Sequence, residues 1–162
     1  MYTKGVSNYT LMKIISPSFQ HNQSMPSEYT CDGNNTNPAL EFVDIPEQAK
    51  SLALIMEDPD VPKHIREDGM WDHWLVWNIL PTTKNIAENS IPLGIVGLNT
   101  NGREDYASPC PPDGQHRYFF KLYALDTLLD IPGGSTKDAL LTAMQGHIID
   151  QAELVGLYER LK

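Results

Sequence analysis

Asp58, His73, His116 and Tyr118 are the side chains of this sequence best suited to act together. A carboxylate, two imidazoles and a phenol can hold a phosphate or carboxylate. The rings and the hydroxyl donate hydrogen bonds, and partial protonation of histidine adds positive charge. A neighbouring Asp can fix one imidazole's tautomer and raise its basicity. Each residue also has a plainer reading. A histidine near a strand end often just satisfies the core, and Asp58 before Pro59 suits a turn. Asp58, His73 and His116 also match a two-histidine, one-carboxylate metal site in composition, but no ligand spacing links them. Enzyme signatures are missing: no G-x-S-x-G elbow, Walker loop, dinucleotide glycine pattern or H-E-x-x-H. Ser108 is a formal nucleophile with no base tied to it. A hydrolase or lyase using His73 or His116 as base is therefore the weakest reading.

The elements that must position these residues read mostly as strands. Residues 10–15 form a first strand, 39–42 a short second one, and 51–56 an apolar third that stops at Glu57-Asp58-Pro59-Asp60-Val61-Pro62. Two prolines within four residues exclude a helix or a central strand there. Trp71–Ile79 is β-branched and aromatic, hence a largely buried strand. Strict alternation puts His73, Leu75, Trp77 and Ile79 on one face and Trp74, Val76 and Asn78 on the other. The three tryptophans read as core, because a base-stacking platform would have basic neighbours. Residues 82–115 are irregular, and so long a stretch is often functional. The strand 116–124 directs His116, Tyr118 and Phe120 one way and Arg117, Phe119 and Lys121 the other. A helix follows Pro132-Gly133-Gly134-Ser135, with Ser135 and Asp138 approximating a capping box. The stretch 148–162 is ambiguous between helix and strand.

Length and charge bound the function. The 162 residues suit one domain, 1–162, with residues 1–9 a flexible segment. The 41% apolar content argues against disorder. A net charge of -9 disfavours a nucleic-acid backbone or an anionic membrane face as partner, though not one local anion site. No stretch is long and apolar enough to span a membrane, and the first residues lack a signal-peptide core, so the cytoplasm is the expected compartment. Asn8, Asn22 and Asn34 head N-x-Ser/Thr matches that mean little there. Cys31 and Cys110 match no zinc or C-x-x-C spacing, and spacing leaves open two thiols or one long-range bridge.

Three segments occur in the order of one family: Asp58-Pro59-Asp60-Val61-Pro62, Trp71-Asp72-His73-Trp74, and Pro111-Pro112-Asp113-Gly114-Gln115-His116-Arg117-Tyr118. With Tyr29-Thr30-Cys31-Asp32-Gly33, Gly146-His147-Ile148 and Ala152-Glu153-Leu154-Val155-Gly156, the chain resembles the bacterial and archaeal branch of the phosphatidylethanolamine-binding, or Raf-kinase-inhibitor-like, family from about residue 10 to 160. The resemblance implies a mainly β fold, a large antiparallel sheet packed against a smaller one with a few short helices, and a strand over 149–158. It implies an anion pocket built by Asp58, His73, Pro112, His116 and Tyr118. Asp60 and Arg117 would support the loop geometry, with Pro59, Trp74 and Gly114 in the same matched segments. No cofactor is implied. Ligands would be phosphate-bearing small molecules, headgroups or peptides, and a protein kinase or serine protease is the implied protein partner, with inhibition through a surface loop as the alternative mode. A homodimer is also expected for this branch. Ser108 departs from the glycine that commonly precedes the Pro-Cys of the pocket loop. The longer C-terminal helix of animal members has no counterpart here, which weakens transfer of a kinase-specific role. Both cysteines fall in family segments on the pocket side, which favours a bridge more than spacing does and still leaves both states open.

Overall fold

The computed structural model describes residues 11–161, and the segment 1–9 lies outside them. In chain order the strands are β1 (Lys13–Ile15), β2 (Gln23–Ser24), β3 (Leu40–Val43), β4 (Ser51–Asp58), β5 (Trp71–Ile79), β6 (Asn85–Ile86), β7 (Ile95–Val96), β8 (Gln115–Leu125) and β9 (Ile148–Glu159). Among the described residues a 3-10 turn, Ser27–Tyr29, precedes β3, and a helix, α1 (Lys137–Met144), lies between β8 and β9. The large sheet has six strands in the order β2-β9-β8-β4-β5-β7, and the small one three, β1-β3-β6. The large sheet is mixed where an antiparallel one was expected, because β2 runs parallel to β9. No described helix is long and apolar enough to cross a membrane.

β4 lies at the centre of the large sheet and is buried along its whole length, as its unbroken apolar run requires. Its alternation sorts the core into two layers. Leu52, Leu54 and Met56 pack with Ile14, Leu40, Phe42 and Phe120 between the two sheets. Ala53 and Ile55 pack with Leu75, Trp77, Leu140 and Met144 beneath α1. The helix starts one residue later than the capping box predicted. Ser135 instead closes its own turn onto the Pro132 carbonyl, and Thr136 accepts the N–H of Ala139.

Strict alternation fails twice on β5. Met56 faces Trp74 and Glu57 faces Asp72, which leaves His73 as an extra residue on β5. A second irregularity between Leu52 and Leu54 falls at Asn78, whose φ is 53°. Each irregularity flips the face of what lies beyond it. Ile79 therefore joins Trp74 and Val76 in the layer between the sheets, not Leu75 and Trp77. His73 likewise turns to the face of Tyr118, whose ring it meets edge-on at 5.3 Å.

β9 is a strand, paired with β8 from Gln115↔Glu159 to Leu125↔Ile148. Gly156 is needed for close approach: a side chain there would run into Met25 and Phe19.

A second charged cluster fixes α1 to the sheet. Lys137 on α1 lies 2.7 Å from Glu57 and 2.6 Å from Asp72, and Lys121 lies 2.6 Å from Glu57. Burial pushes the Glu57 carboxyl up, but Lys121 and Lys137 together outweigh it and hold it below the ordinary glutamate range. A lowered value stabilises the fold above the unfolded pKa and is lost as pH falls through the folded one. Lys137→Ala should cost about 1–3 kcal/mol in urea unfolding at neutral pH. It should also flatten the loss of stability below about pH 4.5. Identical acid limbs for both proteins would contradict this role for Lys137.

Candidate functional site

The site begins with Asp58, the last residue of β4, only 3% exposed. A buried carboxylate needs donors at both oxygens. Oδ1 accepts the Asp60 N–H at 2.7 Å, a turn that Pro59 helps to direct. Oδ2 accepts from Nδ1 of His116 at 2.7 Å, across from the start of β8. Asp60 then grips the next residue on β8: its carboxylate accepts from the Arg117 backbone N–H at 2.9 Å and from the guanidinium at 2.9 and 2.8 Å. The Arg117 hydrogen bonds hold the Asp60 carboxyl below its ordinary range. The end of β4 and the start of β8 thus form one rigid unit.

His73 enters from β5. Its Nδ1 donates to the Ala107 carbonyl at 2.6 Å, and the Ala107 N–H donates to the His73 carbonyl at 2.9 Å. A carbonyl only accepts, so Nδ1 carries the proton and Nε2 of the neutral ring is an acceptor. Burial dominates over the weaker pulls of the Ala107 carbonyl and the Asp58 charge, and His116 adds to the lowering; His73 is pushed down to about 4. Tyr118 stands between the histidines, with its ring centroid 5.3 Å from that of His73 and 6.4 Å from that of His116. Its hydroxyl is buried without a hydrogen-bond partner among the described residues. Burial first, then the charge of the nearby Asp58 carboxylate and its reach toward the hydroxyl, push that hydroxyl up, so it remains a donor at neutral pH.

These side chains line one cavity of about 270 Å³. Asp58, His73, Pro112, His116 and Tyr118 all face it. Val61, Ile65, Trp71 and Pro111 supply apolar wall, and Asn101, Ser108 and Cys110 the remaining loop surface. Of the supporting residues, Asp60 and Arg117 brace the floor as described. Gly114 occupies the left-handed region (φ 57°) in the turn before β8. Trp74 is in the core and reaches the site only indirectly. It packs edge-on against Tyr106 at 5.3 Å, and the Tyr106 hydroxyl donates to the Tyr29 carbonyl at 2.9 Å.

Cys31 and Cys110 are bonded, with their Cα atoms 5.4 Å apart. The bond joins the turn after Tyr29 to the proline-rich loop at the cavity mouth. Several participants were not singled out in the sequence. The Ala107 carbonyl is a backbone group with no side-chain signature. Asn101 accepts from the Trp71 indole N–H at 2.8 Å. Asp113 places Oδ1 3.5 Å from Nε2 of His116 and is 73% exposed. No three His, Cys, Asp or Glu among the described residues converge as metal ligands.

The burial of His73 has a titration consequence. In the folded protein it should remain neutral down to about pH 4. Its value lies below the unfolded one, so its contribution to stability is complete above about pH 6.5 and is lost as pH falls toward 4. Imidazole NMR should give a midpoint near 4 for His73 and an Nδ1-protonated tautomer above it. A midpoint between 6 and 7 would contradict the burial argument.

A family model described as phosphatidylethanolamine-binding protein matches residues 15–159. A UPF0098 protein of Chlamydia pneumoniae is 52% identical over 149 residues, covering 92% of this chain and 99% of the relative. One from Methanothermobacter thermautotrophicus is 45% identical over 155 residues, covering 92% and 99%. A crystal structure described as a phosphatidylethanolamine-binding protein homologue from Chlamydia trachomatis superposes with a TM-score of 0.91 at 49% identity, covering 93% of this chain and 99% of that one. YBCL of E. coli, described as a member of the mammalian family, gives 0.84 at 27% identity, covering 94% and 100%. From fold, matched residues and relatives alike, the chain belongs to the phosphatidylethanolamine-binding protein family, within its bacterial and archaeal branch.

Proposed function

We propose that this protein is a non-enzymatic binder of a small phosphate-bearing molecule or headgroup. The buried Tyr118 hydroxyl, which makes no well-formed hydrogen bond among the described residues although the Asp58 carboxylate is close by, carries the reading. An unmade hydrogen bond on a buried group is costly, and an oxyanion in the cavity would satisfy it. Nε2 of His116 would add a second donor when that ring is protonated. Nε2 of His73 would accept from a phosphate oxygen that keeps its proton. The apolar wall suits the first carbons of the group esterified to the phosphate. About 270 Å³ suits a headgroup, not acyl chains. The names given to the family and to the Chlamydia trachomatis homologue support a headgroup ligand.

A catalytic role finds less support. Ser108 lines the cavity but makes no hydrogen bond to either histidine among the described residues, so no nucleophile is activated. The proposed compartment is the cytoplasm. A second reading, inhibition of a protease or kinase through a surface loop, draws on Ile91 and Leu93, which are 87% and 81% exposed on one loop. A kinase or serine protease stays a proposed partner in that reading.

Calorimetric titration with inorganic phosphate separates these readings. The wild type should bind saturably, and His116→Ala should weaken binding by roughly tenfold or more, the loss of one charge-assisted hydrogen bond. Asp113→Asn should tighten it by about two- to fivefold, because it removes a negative charge that competes with the ligand at Nε2. No saturable binding would sink the proposal. A His116→Ala protein that loses phosphate yet still inhibits a serine protease would move the function to the Ile91–Leu93 loop.

A further inference from the structure

We propose that the Cys31–Cys110 disulfide is a reversible clamp, through which thiol–disulfide exchange sets the affinity of the cavity. This rests on the anion-binding reading and adds its regulation.

Three observations carry it. First, both cysteines are solvent-exposed, so the bond is open to attack by a thiol. Exposed disulfides are the labile ones. Secondly, the bond lies at the site: Cys110 lines the cavity beside Pro111 and Pro112. Thirdly, the two loops it joins differ in how they are held.

The Cys31 side is well anchored. Thr30 donates to Ser27, Gly33 to Thr30 and Asn34 to Glu28 along the backbone. The Asp32 carboxylate accepts from the Tyr158 hydroxyl and the Arg160 guanidinium. Gly33 packs so tightly on the Ser27–Glu28 backbone that a side chain there would collide with it.

The Cys110 side has few ties of its own. Pro109, Pro111 and Pro112 have no N–H to give. The Ala107 N–H donates to His73 and the Pro109 carbonyl accepts from Cys31; beyond these, no residue from Ser108 to Pro112 makes a hydrogen bond among the described residues. Pro109 and Pro111 are buried, so packing and the covalent bond together hold this wall of the cavity.

Opening needs a thiol reductant, and a small dithiol suffices. One of its thiolates attacks a protein sulfur, the S–S bond breaks, and the other cysteine leaves as a thiolate that takes up a proton. The second thiol then displaces the mixed disulfide. Two cysteine thiols form, the dithiol becomes its disulfide, and two electrons and two protons are transferred. In the reduced protein the Ser108–Pro112 wall keeps only its packing and the Cys31–Pro109 hydrogen bond, so it moves more freely and a ligand must order it on binding. In a reducing compartment, where disulfides are rare, this loose state would prevail until oxidant arrives.

The test compares oxidised protein, dithiol-reduced protein and the Cys31→Ser/Cys110→Ser variant, with inorganic phosphate as the probe and amide hydrogen exchange as a second readout. Reduction should weaken phosphate binding by about five- to tenfold, the cost of ordering a loop no longer preorganised. Reoxidation should restore it. The double variant should match the reduced protein and ignore the dithiol. Protection should fall at the Cys31 and Ala107 amides while β4 and β8 stay protected, which shows that the fold persists. Equal phosphate affinity in the oxidised and reduced states, or unchanged protection at Cys31 and Ala107, overturns the clamp. Lack of phosphate binding by the oxidised protein contradicts the anion reading instead, and the exchange data then still decide the clamp.

Discussion

A carboxylate buried at the end of a central strand must have both oxygens satisfied, and Asp58 meets that demand in a way that organises the site. One oxygen takes the Asp60 N–H, and the other takes Nδ1–H of His116. The first bond turns the chain after β4 and presents Asp60 to Arg117. The second fixes the tautomer and direction of an imidazole on β8. Removing the His116 imidazole would leave one oxygen of a nearly dry carboxylate without a donor, a cost of several kcal/mol by analogy with broken buried pairs. The position of Tyr118 and the shape of the cavity floor follow from this geometry.

Much of this was readable in the sequence because it depends on local chemistry. The apolar run before Asp58 stops at two prolines, and β8 alternates cleanly from His116 to Phe120. Both strands form as their patterns require. What escaped notice depends on residues far apart in the chain. The β5 irregularities arise from how β4 and β5 fit together, and alternation alone placed His73 and Ile79 on the wrong face. That irregularity matters to the site, since without it His73 would point toward α1. The β9 assignment came from family resemblance, because Gly156 makes sense only once Met25 and Phe19 are seen above it. The Ala107 carbonyl could not be found from side-chain types at all.

The acidic balance of the chain takes on a local meaning. Arg117 is engaged by Asp60, Arg160 by Asp32, and Lys121 and Lys137 by Glu57. No Lys or Arg is among the residues lining the cavity. The proposed anion site therefore works without Lys or Arg, through a phenol, an Asp-braced imidazole and a neutral one. Such a site discriminates by hydrogen-bond geometry more than by charge, and Asp113 at its mouth opposes indiscriminate capture of anions.

The central claim is that an oxyanion is held jointly by Tyr118, His116 and His73. A crystal structure of the oxidised protein at saturating inorganic phosphate tests it most directly. The account predicts tetrahedral density within hydrogen-bonding distance of the Tyr118 hydroxyl and of Nε2 of both histidines, with the His116–Asp58 and His73–Ala107 bonds kept. Phosphate bound elsewhere on the surface, with the Tyr118 hydroxyl still without a partner, would contradict it.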